Sequence, residues 1–163
     1  MKKLIILVSS KGKNVVLAET IEKSASLLGF IVNIVNLVDL NLPLYSTLEE
    51  SNAVPSQAID LTKNMLSSDS LIVIAPEYNG SMPPVLNNAI AWISRSSENW
   101  RQAFNGRPTL IATHSGGGGT HVLMAMRQQL SFIGANVIGR QILTTSGKEL
   151  DLVSLEMCLK QLL

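Results

Sequence analysis

Three short stretches of this chain carry residues able to bind or react. Ser9, Ser10, Lys11, Gly12, Lys13 and Asn14 place two hydroxyls, two ammonium groups and a carboxamide in six consecutive positions. Leading into a helix, such a loop suits a phosphate, because free backbone N–H groups and the positive end of the helix both face the anion. A solvated loop with two surface lysines is the plain alternative, since neither G-x-G-x-x-G nor a Walker sequence is present. Pro76, Glu77, Tyr78 and Asn79, followed by Gly80, form a second polar, turn-prone stretch. The third is HSGGGG, residues 114–119. Four adjacent glycines lose much chain entropy on ordering, so either close backbone approach to a ligand or a positive φ is expected there, with a floppy linker as the opposing reading. His114 and His121 flank this run, but no third ligand stands at metal-binding spacing, and both are expected to be structural.

The elements that must position these stretches follow from hydrophobic periodicity. Residues 71–74, LIVI, read as a strand buried on both faces of a parallel sheet. Pro76 ends it, which puts residues 77–80 at the carboxyl end of the strand, where open α/β sheets bind ligands. An ordinary strand-to-helix turn is the competing reading. Pro83 and Pro84 suit the first turn of a helix that runs to Arg95, with Leu86, Ala89, Ile90 and Ile93 on one face. Residues 3–8 read as a first strand, and Leu17, Ile21, Ala25 and Leu28 share a face of a first helix closed by Gly29. Residues 30–36 read as a second strand, residues 39–54 as a long connection, and residues 55–66 as a helix. Beyond the central helix, residues 96–107 read as a loop with a helical turn, in which Trp100 either covers a pocket or packs locally. Residues 108–113 supply a fourth strand, and Leu123, Met126, Leu130 and Ile133 line the following helix, which Gly134 ends. Residues 136–144 supply a fifth strand, and Leu152, Leu155, Leu159 and Leu162 mark a closing amphipathic helix.

Composition bounds the function. A chain of 163 residues with 46% hydrophobic content suits one domain spanning residues 1–163. Net charge of +1, with no Lys/Arg run longer than two residues, gives no footprint for nucleic acid or a membrane surface. The segment MKKLIILV is too short in its apolar part for a signal peptide, and no stretch approaches the ~18 apolar residues of a membrane span. The single cysteine, Cys158, excludes an internal disulfide, fits a reducing cytoplasm, and lies in an apolar terminal segment as a small buried hydrophobe. Charged residues make up 15%, below the roughly 25% of average proteins, which points to surface covered by a partner or a second copy.

The run PEYNGSMP, residues 76–83, with its following helix closely resembles the PEYN loop of the NADPH-dependent FMN reductase family, flavodoxin-like enzymes that include quinone, azo-dye and chromate reductases. The resemblance implies that Pro76, Glu77, Tyr78 and Asn79 lie along the isoalloxazine ring of FMN. It implies that Ser115, Gly116, Gly117 and Gly118, matching the family's Ser-x-Gly-Gly, border the same ring. The family's phosphate loop has the form Gly-Ser-x-Arg-x-x-Ser-x-Asn. Here Ser9, Ser10, Lys11, Gly12, Lys13 and Asn14 make a shorter loop without arginine, in which Ser10 and Asn14 match best. DLNLPLY, residues 39–45, resembles the family loop near the subunit contact, and Trp92 is a candidate interface residue.

Five strands alternating with helices predict a doubly wound α/β sheet, and the resemblance implies flavodoxin-like order 2-1-3-4-5. It further implies bound FMN, with NADPH or NADH as co-substrate and a quinone, free flavin or azo compound as acceptor, in a homodimer or homotetramer. No catalytic side chain is expected, because the flavin carries the chemistry and the protein supplies orientation and backbone donors. Two alternatives compete: a flavodoxin-type electron carrier, and a family member that has lost FMN and serves as a regulatory or scaffold subunit.

Overall fold

A computed structural model describes residues 1–163. The continuous apolar runs become the centre of a parallel sheet. β1 (Lys3–Val8), β2 (Ile31–Asn36), β3 (Ser70–Ile74), β4 (Pro108–His114) and β5 (Asn136–Val137) lie in the order β2-β1-β3-β4-β5, and β6 (Ile142–Thr144) also pairs with β4. This is the expected flavodoxin-like arrangement. Successive side chains of a strand point to opposite faces, so both members of each pair in these runs find a core. Leu71 and Val73 pack on one face of the sheet with Leu61, Leu86, Ile90 and Leu123. Ile72 and Ile74 pack on the other with Leu17, Ile21, Leu155 and Leu159. Helices α3 (Ser56–Leu66), α4 (Pro84–Ile93) and α5 (Thr120–Phe132) therefore cover the first face, and α1 (Lys13–Leu27) and α6 (Leu152–Lys160) the second. None of these helices is long and apolar enough to cross a membrane.

Three details depart from the sequence reading. The strand expected over residues 136–144 is broken in two. β5 pairs with Pro108 and Thr109 and β6 with Ala112 to His114. Between them the Ile138 amide still donates to the Thr109 carbonyl at 2.9 Å, but Arg127 of α5 reaches over the chain and its guanidinium donates to the carbonyls of Ile138 at 2.9 Å and Gly139 at 3.5 Å, so these carbonyls bond to a side chain instead of a neighbouring strand. The connection over residues 39–54 contains a short helix, α2 (Thr47–Asn52), whose amino terminus is capped by the Ser46 hydroxyl accepting from the Glu49 amide at 3.1 Å. No residue of α2 is buried, which is why apolar periodicity gives no sign of it. Finally, Trp92 is 0% exposed. Its indole Nε1 donates to the Pro43 carbonyl at 2.7 Å and its ring meets Tyr45 edge-on at 5.2 Å, so its own chain covers it and it is not a surface residue. Trp100 likewise packs locally, edge-on to Phe104 at 6.2 Å and under the Arg101 guanidinium, instead of standing over a pocket.

Candidate functional site

Parallel pairing brings the three informative loops to one end of the sheet. β1, β3 and β4 are adjacent and run the same way, so Ser9–Asn14 after β1, Pro76–Asn79 after β3 and Ser115–Gly119 after β4 leave their strands side by side. Direct bonds between the loops then fix their relative positions. The Ser9 amide and hydroxyl both donate to the Ile74 carbonyl at 3.0 Å, joining the first loop to the end of β3. Asn14, 4% exposed, joins it to β4: its Oδ1 accepts from the His114 amide at 2.7 Å, and its Nδ2 donates to the His114 carbonyl at 3.1 Å. Glu77 joins the second loop to the third, its Oε2 accepting from the His121 and Val122 amides at 3.0 and 3.2 Å. Tyr78 and Ser81 exchange backbone bonds of 3.0 Å around Asn79 and Gly80, both at positive φ, which makes a tight two-residue turn carrying the exposed Tyr78 ring.

What these bonds leave open is a set of donors. In the first loop the amides of Ser10, Lys11, Gly12, Lys13 and Asn14 donate to no acceptor of the chain. Gly12 produces this geometry at φ 71° and ψ −129°, a conformation that side chains strongly disfavour, while its carbonyl accepts from Val15 and Val16 to start α1. The Ser10 hydroxyl is buried and has no hydrogen-bond partner. Buried polar atoms are almost always bonded, so an unpaired hydroxyl amid unpaired amides at a helix amino terminus fits an anion such as a phosphate. The Asn36 carboxamide holds the loop from the side by donating to the Ser10 carbonyl at 3.1 Å. Of the two lysines, Lys11 is ion-paired with Asp39, and Lys13, exposed, makes no ion pair.

The glycine run divides by cause. A Cβ on Gly116, Gly117 or Gly118 would meet nothing within 4 Å, and none of the three has a positive φ. Their backbone is therefore open to a flat group laid against it. Gly119 differs, at φ 74° and with Thr113 Cγ2 3.0 Å from where its Cβ would lie. Ser115 is buried, and its Oγ accepts from the Gly117 amide at 3.2 Å, shaping the loop from within. Pro76 is half-buried.

Of the residues expected from the sequence to bind a ligand, Ser9, Asn14, Glu77 and Ser115 use polar side-chain atoms on the protein itself, while Ser10, Lys13, Tyr78 and Gly116 to Gly118 face outward or stand unpaired. Sequence reading missed Asn36, whose role rests on a contact between distant segments; it placed Gly12 and Gly119 in their loops, and the positive φ expected within the glycine run falls at Gly119. His114 contributes its backbone to Asn14, and its ring Nδ1 lies 3.1 Å from Thr144 Oγ1. The exposed His121 ring stands 3.7 Å from Glu77. The Cys158 thiol is buried, and burial pushes its pKa up, away from the thiolate. A cleft of about 420 Å³ lies between α1 and residues 144–150, lined by Lys13 and His114 from the first and third loops but by none of the four glycines.

Loops that crown adjacent parallel strands at the reversal of strand order, with an amide cradle at the first helix, define a protein of the flavodoxin-like class. The particular family follows from comparison: the profile of the NADPH-dependent FMN reductases matches residues 1–149, and the chain belongs to that family. The quinone reductase of Escherichia coli (strain K12) is 34% identical over 103 residues, covering 61% of this chain and 53% of that protein. The chain thus spans about half the length of the curated relatives it matches. Among solved structures, the flavoenzyme NAD(P)H:(acceptor) oxidoreductase FerB from Paracoccus denitrificans superposes with a TM-score of 0.73 at 25% identity, covering 85% of this chain and 76% of that one. A flavodoxin from the domain Archaea superposes at 0.65 with 13% identity over 99% of this chain and 93% of its own, a likeness of fold.

Proposed function

We propose that this chain holds FMN across its three loops and passes electrons from NADPH or NADH to a small-molecule acceptor of the quinone, free-flavin or azo class. The observation that carries this reading is the buried, unpaired Ser10 hydroxyl among unpaired amides from Ser10 to Asn14. Those donors would take the phosphate, with Lys13 adding a point charge and Lys11 able to exchange Asp39 for it. Gly116, Gly117 and Gly118 would lie against one edge of the ring, and Pro76, Glu77, Tyr78 and Asn79 would form the wall along another. When bound, the flavin supplies two-electron chemistry, so the protein's part is to hold the ring and leave one face open. The E. coli relative's name supports a quinone as acceptor, and FerB's name leaves the acceptor general. A homodimer or homotetramer belongs to the same reading.

Releasing and identifying any copurified flavin, followed by steady-state oxidation of NADPH and NADH with a quinone, a free flavin and an azo dye, tests the proposal. Turnover with bound FMN supports it. Bound FMN without turnover would make the chain an electron carrier, and a colourless protein that does not take up FMN would make it a family member without the cofactor. Charge-assisted contacts are worth about 1.5–3 kcal/mol each, so FMN should bind roughly tenfold or more tighter than riboflavin. Lys11→Ala with Lys13→Ala should narrow that gap and weaken its salt dependence. Equal affinity for the two flavins in the unmodified protein would count against a phosphate site.

A further inference from the structure

We propose that the side chains of Asn14 and Glu77 are positioning groups that bolt the three loops to one another and make no contact with the flavin, which meets these two residues through their backbone alone. The inference rests on the reading that these loops hold FMN. Its ground is the use to which both side chains are put, and the lack of any other group that could do the same work.

The ladder between β3 and β4 reaches Ile74 and Ala112, and the last backbone bond between the two segments runs from the Ala75 amide to the Ala112 carbonyl at 3.2 Å. Past that point the chain after β3 turns away, and the edge of His114 facing it has no strand neighbour. Asn14 takes that place. Its carboxamide accepts from the His114 N–H and donates to the His114 C=O, the two-way exchange that a neighbouring strand would make. The contact joins residues 100 positions apart at the amino terminus of α1, so it sets where the amide cradle stands relative to the glycine run.

Glu77 has a matching origin. A helix leaves its first amides unpaired, and a Ser, Thr, Asp or Asn at the cap position ordinarily takes them. At α5 that position is Gly119, which has no side chain to offer. Its φ of 74° and the Thr113 methyl 3.0 Å from the Cβ position oppose any other residue there. Capping therefore falls to a group from outside the helix, and the Glu77 carboxylate, on the loop after β3, takes both the His121 and the Val122 amides. An anion is favoured there by the helix dipole as well. One carboxylate thus completes α5 and ties the wall at residues 76–79 to the glycine run. The Ser9 link to Ile74 closes the set, and recognition of the phosphate is left to backbone amides, Ser10 and the loop lysines.

A strut and a ligand give different results. Dissociation constants for FMN and riboflavin would be measured with Asn14→Ala, Glu77→Ala, Glu77→Gln and the unmodified protein, alongside amide hydrogen exchange of each protein without flavin. As struts, both alanine variants weaken the two flavins by the same factor and leave the FMN-to-riboflavin ratio within about twofold of the parent. Exchange quickens by about tenfold or more at the His114 amide in Asn14→Ala, and at His121 and Val122 in Glu77→Ala. Glu77→Gln, which keeps an acceptor oxygen, restores most of the protection and affinity. An Asn14→Ala protein that loses FMN affinity at least about tenfold more than riboflavin affinity would make Asn14 a phosphate ligand and overturn the proposal. Unchanged exchange at the three amides would overturn it too. Should Asn14→Ala not fold, Asn14→Ser, which shortens the side chain and adds no charge beside the phosphate, carries the same comparison. A parent protein that binds neither flavin would overturn the FMN reading alone, because the exchange measurements judge the struts without ligand.

Discussion

Gly117 and Gly119 stand two positions apart, and different physics accounts for each. At Gly117 nothing in the chain lies within 4 Å of where a Cβ would stand and the backbone is ordinary, so the fold itself would accept a side chain. At Gly119 the left-handed φ of 74° and the nearby Thr113 and Ser115 side chains exclude one. Gly117→Val should therefore leave the circular dichroism and melting temperature of the flavin-free protein nearly unchanged while abolishing flavin binding, because the new side chain projects into the space proposed for the ring. Gly119→Ala should cost about 1–2 kcal/mol of stability from backbone strain alone, read as a lower midpoint in urea. Full flavin retention in Gly117→Val would remove the glycine run from the proposed site.

Among the elements, the connection after β2 adds polar bonds to the partial burial of Leu40 and Leu42 against the core. The Asn88 side chain of α4 accepts from the Tyr45 amide at 2.7 Å and donates to the Pro43 carbonyl at 3.0 Å. Glu50 of α2 accepts from the Arg95 guanidinium at 2.6 Å and from the Tyr45 hydroxyl at 2.7 Å. Arg95, then Tyr45, hold the Glu50 carboxyl below the usual carboxylate range, and the bond to Glu50 pushes the Tyr45 phenol up. A depressed carboxyl contributes stability that is complete above its unfolded value and lost as pH falls through the folded one. A raised phenol contributes below its unfolded value and loses that contribution as pH climbs past the folded one. Glu50→Gln should thus melt earlier than the parent at neutral pH, and the difference should shrink below about pH 4 and again above about pH 10. A pH-independent difference between the two melting curves would show that the bridge does not hold this connection.

For the whole molecule, the low charge content leaves apolar side chains on the surface. Leu44 is 78% exposed and Leu48 72%, both on the connection that wraps α4, whereas Trp92 beneath them is fully covered. If the chain forms the proposed homo-oligomer through this region, Leu44→Glu with Leu48→Glu should convert it to a monomer, read by light scattering at micromolar concentration. A parent protein that is already monomeric with flavin bound and turnover intact would end the oligomer proposal.

Strand order was legible only through the resemblance to the family, whereas the strands, the two-sided core and the position of each informative loop were legible in the sequence, because burial on both faces writes continuous apolar runs and the PEYN and glycine stretches follow those runs directly. The family was legible for the same reason. The split of residues 136–144 was not, since it depends on where Arg127 of a distant helix lands, nor was α2, which buries nothing. At the site, sequence supplied residue types and tertiary structure decided their use. Asn14 and Glu77 look alike, as polar donors and acceptors in ligand loops, until their partners His114, His121 and Val122 are brought within 3.2 Å by strands that pair across the whole chain. A hydrogen bond is a property of two groups, and where the second lies 100 positions away only the folded chain can say whether a side chain faces a ligand or another loop.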